Sequence, residues 1–185
     1  MKKIKLVLLV CLLFVASMVN ADTYGKQNSF GLNPFGLLFN IYSGEYGRFM
    51  DAAGTTEINV PFYFFSYEDF TALGLGAKYR MYKDGNGEGV FYGGGLTIDS
   101  WTWEDIYWYD SVSMTWKTED TTWLTITPLG ELGYRWSWPN GWTIAPSLEL
   151  GFAVSTFDGN DDWGDLDYGA QGLHWGLNLG VAYMF

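Results

Sequence analysis

The 185-residue sequence predicts an all-β fold: one closed, antiparallel, up-and-down β-barrel of eight strands. Three observations predict it. Apolar and small or polar residues alternate with a period of two along most of the chain, the pleat of a strand. Gly, Asn, Asp and Pro clusters interrupt that alternation at hairpin spacing. Aromatic residues make up 19% of the chain and charged residues 17%, a balance that excludes disorder.

Residues 1–21 read as a secretory signal peptide and residues 22–185 as the barrel domain. Lys2, Lys3 and Lys5 precede an apolar run from Leu6 to Val19, and Val19-Asn20-Ala21 places tolerated residues before a cleavage point. An uncleaved anchor and a lipoprotein signal at Cys11 are the alternatives; Val10 stands where the latter needs a small residue. The remaining chain has no cysteine and carries seven basic against twenty-one acidic residues. Nucleic acid is therefore not an expected partner, because phosphate binding needs a basic surface. No later apolar stretch reaches the ~20 residues of a spanning helix.

The strands follow in order. An even strand count asks for two strands before the third: either both lie within about Phe30 to Met50, with a turn near Asn40 to Ser43, or a single long strand runs from Phe35 to Met50 with another before Pro34; both arrangements stay open. A strand over about Thr55 to Phe65 places Ile58, Val60, Phe62 and Phe64 on one side. Phe70 to Tyr82 sets Leu73, Leu75, Ala77, Tyr79 and Met81 against Gly74, Gly76, Lys78 and Arg80. Asp84-Gly85-Asn86-Gly87 turns into a strand over about Gly89 to Trp103, with Val90, Tyr92, Leu96 and Ile98 outward. The strand over about Thr121 to Trp138 alternates Leu124, Ile126, Leu132, Tyr134 and Trp136 with Thr125, Thr127, Glu131 and Arg135. Pro139-Asn140-Gly141 makes a tight turn, since Pro fixes φ and Gly accepts positive φ. Trp142 to Phe157 and Leu173 to Phe185 complete the set; in the last, apolar residues alternate with His174, Gly176, Asn178, Gly180, Ala182 and Met184. That second face is too small and too uncharged for a solvated sheet surface and fits a confined lumen.

Turns at about 51–54, 83–88 and 139–141 are short, whereas Glu104 to Asp120 and Asp158 to Gln171 read as long acidic loops. Short turns at one end and long loops at the other are expected of a barrel that crosses a membrane. Trp101, Trp103, Trp123, Trp136, Trp138, Trp142 and Trp175 fall near strand ends, the positions of two aromatic girdles. The alternative is that aromatics fill a soluble core.

The signal peptide, the eight strands and a final strand with Val181, Tyr183 and Phe185 at alternate positions resemble the small outer-membrane β-barrel proteins of Gram-negative bacteria. Asn33-Pro34-Phe35-Gly36-Leu37-Leu38 and Lys78-Tyr79-Arg80-Met81-Tyr82 are similar to stretches in uncharacterised members of that class. The resemblance covers the chain after residue 21. It implies an outer-membrane location, lipids and the barrel-assembly machinery as partners, and Val181, Tyr183 and Phe185 as an assembly signal. It implies no activity.

Candidate chemistry is sparse. Lys78, Arg80, Asp99, Glu131, Arg135 and Glu149 share the inward parity, so an ion-pair network should fill the lumen. A packed plug is the favoured outcome and a narrow polar pore the alternative. His174, the only histidine, faces the lumen by alternation. It belongs to a polar network or, in the rival reading, to a lipid-modifying site with Ser155 and Glu149. Asp158, Asn160 and Asp162 have the one-three-five spacing of a calcium loop, but Trp163 stands where that loop needs Gly and no helices flank it. A solvated acidic loop is the simpler reading; the Asp84 to Gly89 fragment is weaker still. No cofactor is expected. The sequence thus points to a non-enzymatic outer-membrane barrel that displays acidic loops for surface interaction or envelope stability. A lipid-modifying enzyme and a soluble periplasmic barrel for an apolar ligand are the alternatives.

Overall fold

The computed structural model describes residues 26–110, 114–155 and 172–185. The signal peptide proposed for residues 1–21 and the candidate calcium ligands Asp158, Asn160 and Asp162 lie outside the described residues.

Eight antiparallel strands close into a barrel in sequence order: β1 (Asn28–Leu32), β2 (Ile41–Phe49), β3 (Thr56–Tyr67), β4 (Phe70–Tyr82), β5 (Gly89–Asp110), β6 (Thr115–Ser137), β7 (Trp142–Ser155) and β8 (Gly172–Met184). β1 pairs with β8 through Ser29↔Met184 to Leu32↔Val181 and closes the wall. All-β, eight-stranded, closed and up-and-down is therefore the fold, with one short helix, α1 (Pro34–Leu37), between β1 and β2. Asn33 caps that helix by accepting hydrogen bonds from Phe35 N and Gly36 N, and Pro34 opens it.

The start of the barrel differs in detail from the sequence expectation. The β1–β2 connection spans residues 33–40 and not Asn40 to Ser43, because Asn33-Pro34 starts a helical turn and Asn40, at φ +58°, ends the reversal.

The larger correction concerns residues 104–120. Residues 104–110 and 115–120 are strand and not loop: β5 continues to Asp110 and β6 begins at Thr115. The register runs Trp103↔Thr121, then Ile106↔Glu119, so one extra residue bulges on β5. β4 starts opposite Trp103 and β7 ends opposite Thr125, so beyond them, among the described residues, β5 and β6 form strand ladders only with each other, as a two-stranded ribbon. Trp, Tyr and Thr, which favour strands, outweigh the acidic residues there.

The opposite end is tight. The β2–β3 turn and the β4–β5 turn are joined by backbone bonds from Asn86 N to Ala53 O (2.6 Å) and from Gly87 N to Gly54 O (2.9 Å). Asp51 holds the first turn through Thr55 N (3.0 Å), Thr56 N (2.9 Å) and both threonine hydroxyls. These bonds keep the Asp51 carboxyl well below the usual carboxylate range, the Thr55 backbone N–H contributing most.

Candidate functional site

The strand pleat sends charge inward and hydrocarbon outward. Leu73, Leu75, Ile98, Leu150, Phe152 and Leu177 are exposed on the outer wall. Glu45, Glu57, Lys78, Arg80, Glu131 and Arg135 are buried inside it. The lumen has three levels.

At the tight end lies an apolar layer of Phe49, Tyr82, Phe91, Ala145 and Met184. Arg80 stands over the Phe91 ring at 5.0 Å and Arg135 over the Tyr82 ring at 5.0 Å, so the layer carries the cations above it.

The middle level is an ion-pair network. Arg80 Nε donates to Glu131 Oε2 (2.7 Å) and Arg80 Nη2 to Glu45 Oε2 (2.8 Å). Arg135 Nη2 donates to Glu57 Oε2 (3.0 Å), which also accepts from the Tyr82 hydroxyl (2.6 Å). Lys78 pairs with Glu149 and lies 3.7 Å from Glu131. The Ser147 hydroxyl donates to Glu131 (2.9 Å) and the Ser29 hydroxyl to Glu57 (3.1 Å). Such pairing is what makes buried charge tolerable.

The structure brings together five of the six residues assigned to the lumen network from sequence: Lys78, Arg80, Glu131, Arg135 and Glu149. Asp99 stands apart. Its carboxylate takes a long hydrogen bond from the Thr97 hydroxyl (3.4 Å), and the Tyr63 hydroxyl and His174 act on it as well. Glu45 and Glu57 are the partners sequence reasoning missed. Ile58 and Val60 point outward, so parity alone places Glu57 inside.

The third level is a cavity of about 420 Å³ on the side away from the tight turns. Asp99, Thr125, Thr127, Glu149 and His174 line its polar side. His174 lies opposite Gly151 on β7. The Glu149 carboxylate is engaged by Lys78, and the Ser155 hydroxyl donates to Leu124 O (3.4 Å). Among the described residues no group of three or more His, Cys, Asp or Glu could hold a metal ion.

The aromatic residues also need a correction. Trp101 and Trp123 share the inward parity of Asp99 and Thr125, and they pack with Phe70 at 5.6 and 6.3 Å between ring centroids. Trp103 meets the same ring edge-on at 6.1 Å. These three form a cluster at the lumen mouth and not part of an outward girdle. Tyr134 with Trp136 and Trp142 with Tyr183 do pair on the outer wall near the tight end. Val181, Tyr183 and Phe185 sit on the closing strand or just past it, where Phe185 exchanges backbone hydrogen bonds with Asn28 (2.9 and 3.0 Å).

No protein-family model, no curated protein and no solved structure matches the chain.

Proposed function

We propose that this chain is a plugged, non-enzymatic barrel of the outer membrane, with its outer wall in lipid and its β5–β6 ribbon and β7–β8 connection facing outward from the cell. The inversion of the usual burial pattern carries this reading: Arg80, Arg135 and Glu57 are essentially sealed off, while Leu177 is 77% exposed. A soluble protein would expose that apolar wall to water at a cost of roughly 25 cal/mol per Å². A soluble apolar-ligand barrel needs the opposite faces inward. The paired charges and the aromatic layer beneath them favour a rigid support over a conducting pore. The role is then surface interaction or envelope stability, carried by the segments on that side.

Membrane fractionation with an alkaline wash, followed by a heat-modifiability gel, tests the location. The protein should stay in the membrane pellet and migrate faster when unheated. Release by alkali would sink the assignment. The rival lipid-modifying reading is tested by His174→Ala, which should leave the cellular lipid A profile unchanged.

A further inference from the structure

β1 is too short for its neighbours. It ends at Leu32, opposite Val181, whereas β8 runs on to Gly172 and β2 to Ile41. Beyond Val181 no described strand pairs with the β1 side of β8. The chain leaves the wall there as Asn33 and α1. Asn33 Nδ2 donates to Asn178 Oδ1 across the gap (2.8 Å), and Phe35 lines one hollow with Leu148 and Leu177. The upper cavity reaches this gap: Leu32, Phe62 and Leu177, which belong to the apolar outer wall, line it together with Asp99 and Thr125. The space therefore runs from a polar interior to an apolar exterior.

The interior is also short of positive charge. Five inward carboxylates, Glu45, Glu57, Asp99, Glu131 and Glu149, face three cations, Lys78, Arg80 and Arg135. All three cations are engaged by glutamates. Asp99 is 8% exposed; the Tyr63 hydroxyl and His174 act on its carboxylate, yet no glutamate-free cation of the network reaches it and its Oδ1 accepts no hydrogen bond of sound geometry. The Thr125 hydroxyl, on a residue only 3% exposed, also lacks a partner. Buried polar atoms left in that state mark a place where a ligand gains by supplying donors and a positive charge. One carboxylate outside the glutamate–cation pairs is too few for calcium, which takes six to eight oxygens. An ammonium brings three N–H donors and a compact charge.

We infer that the upper lumen binds a single-chain amphiphile with a protonated amine head, which enters sideways between β2 and β8. The amine sits against Asp99 and Thr125, and the chain lies in the gap beside Leu32 and Leu177, under the α1 segment. The direction of entry rests on the outer wall facing lipid, as proposed above; the site itself does not.

Native mass spectrometry of the folded barrel, released from neutral detergent micelles, tests this with dodecylamine, dodecanol and butylamine as probes. One dodecylamine should be retained per barrel, about tenfold or more tighter than either other probe, as expected for a charge-assisted contact added to apolar burial. Asp99→Asn should erase the preference for amine over alcohol while the protein stays heat-modifiable. Thr125→Val, which removes one acceptor and keeps the shape, should weaken dodecylamine binding in the same direction. Equal retention of dodecylamine and dodecanol overturns the amine site, as does unchanged binding by both variants. Butylamine bound as tightly as dodecylamine overturns the side entry. The measurement is made on folded protein in detergent, so it is independent of the fractionation result.

Discussion

The Glu57 carboxylate and the Arg135 guanidinium meet across the lumen at 3.0 Å, although two other strands separate β3 from β6 in the wall. Both residues are fully buried, and Glu57 also accepts from Tyr82 and Ser29. Glu57→Ala would leave Arg135 and the Tyr82 hydroxyl without that partner. Removing one member of a buried pair costs about 3–5 kcal/mol. The urea midpoint of the barrel in detergent should fall accordingly. Joint replacement by Glu57→Leu and Arg135→Met should recover much of the loss, because no lone charge remains. A midpoint untouched by Glu57→Ala would mean that water fills this level.

The tight end depends on one glycine. Gly87 has φ +63°, and a Cβ there would lie 2.2 Å from Phe49 Cζ. Gly87→Ala combines backbone strain with displacement of a ring that seals the lumen, so a loss of about 1–3 kcal/mol is expected. Gly130→Ala is the control: its Cβ would meet nothing closer than 3.8 Å, and its effect should stay within about 0.5 kcal/mol. Equal midpoints for the two variants would show that Phe49 does not hold its ring against the turn.

Asp51 gives a pH dependence with a definite sign. Its carboxyl is depressed in the folded protein from an ordinary value of 3.8 by the Thr55 and Thr56 donors. The stabilisation is therefore fully present above that ordinary value and is lost only as pH falls through the depressed one. The stability difference between wild type and Asp51→Ala should be flat from pH 8 to about pH 5 and shrink below about pH 4. A difference that already shrinks near pH 6 would point to another group.

Phe185 offers two separable contributions. Its N–H and C=O both bond Asn28 across the closure, and its side chain ends the last strand. Phe185→Ala keeps the two backbone bonds; deletion removes them with the ring. On the proposed outer-membrane location, both variants should assemble poorly and the deletion more so, read as the fraction of heat-modifiable protein in membranes. Normal assembly of the deletion would count against that location.

The alternation made the wall legible because a barrel has one rule, in or out, applied to every strand. Lys78, Arg80, Glu131 and Arg135 follow from it directly. Glu57 was equally available, since its neighbour Ile58 had already been set outward. Glu45 was not, because the limits of β2 depend on the Asn33-Pro34 turn, and a one-residue shift exchanges the faces. Trp101 and Trp123 looked like girdle residues from their nearness to strand ends, yet parity with Asp99 and Thr125 placed them inside. The β5–β6 ribbon was hidden by its acidic residues, which read as loop although the Ile-Tyr-Trp-Tyr and Thr-Trp-Lys-Thr stretches favour strands. The gap beside β8 could not be read at all, since it arises from unequal strand lengths around a closed wall.

The four-residue ladder between β1 and β8 also sets the order of events in folding. Every other ladder joins strands consecutive in sequence, so its hairpin forms from local contacts. The β1–β8 ladder joins the first strand to the last, and the entropy of closing so long a loop must be met before those few bonds repay it. Closure is then the late step and opening of this seam the early one. Until it closes, both strands present bare edges to any neighbouring chain. In hydrogen exchange the seam amides of residues 29–32 should therefore lose protection ahead of the β4–β5 ladder, which has thirteen paired residues.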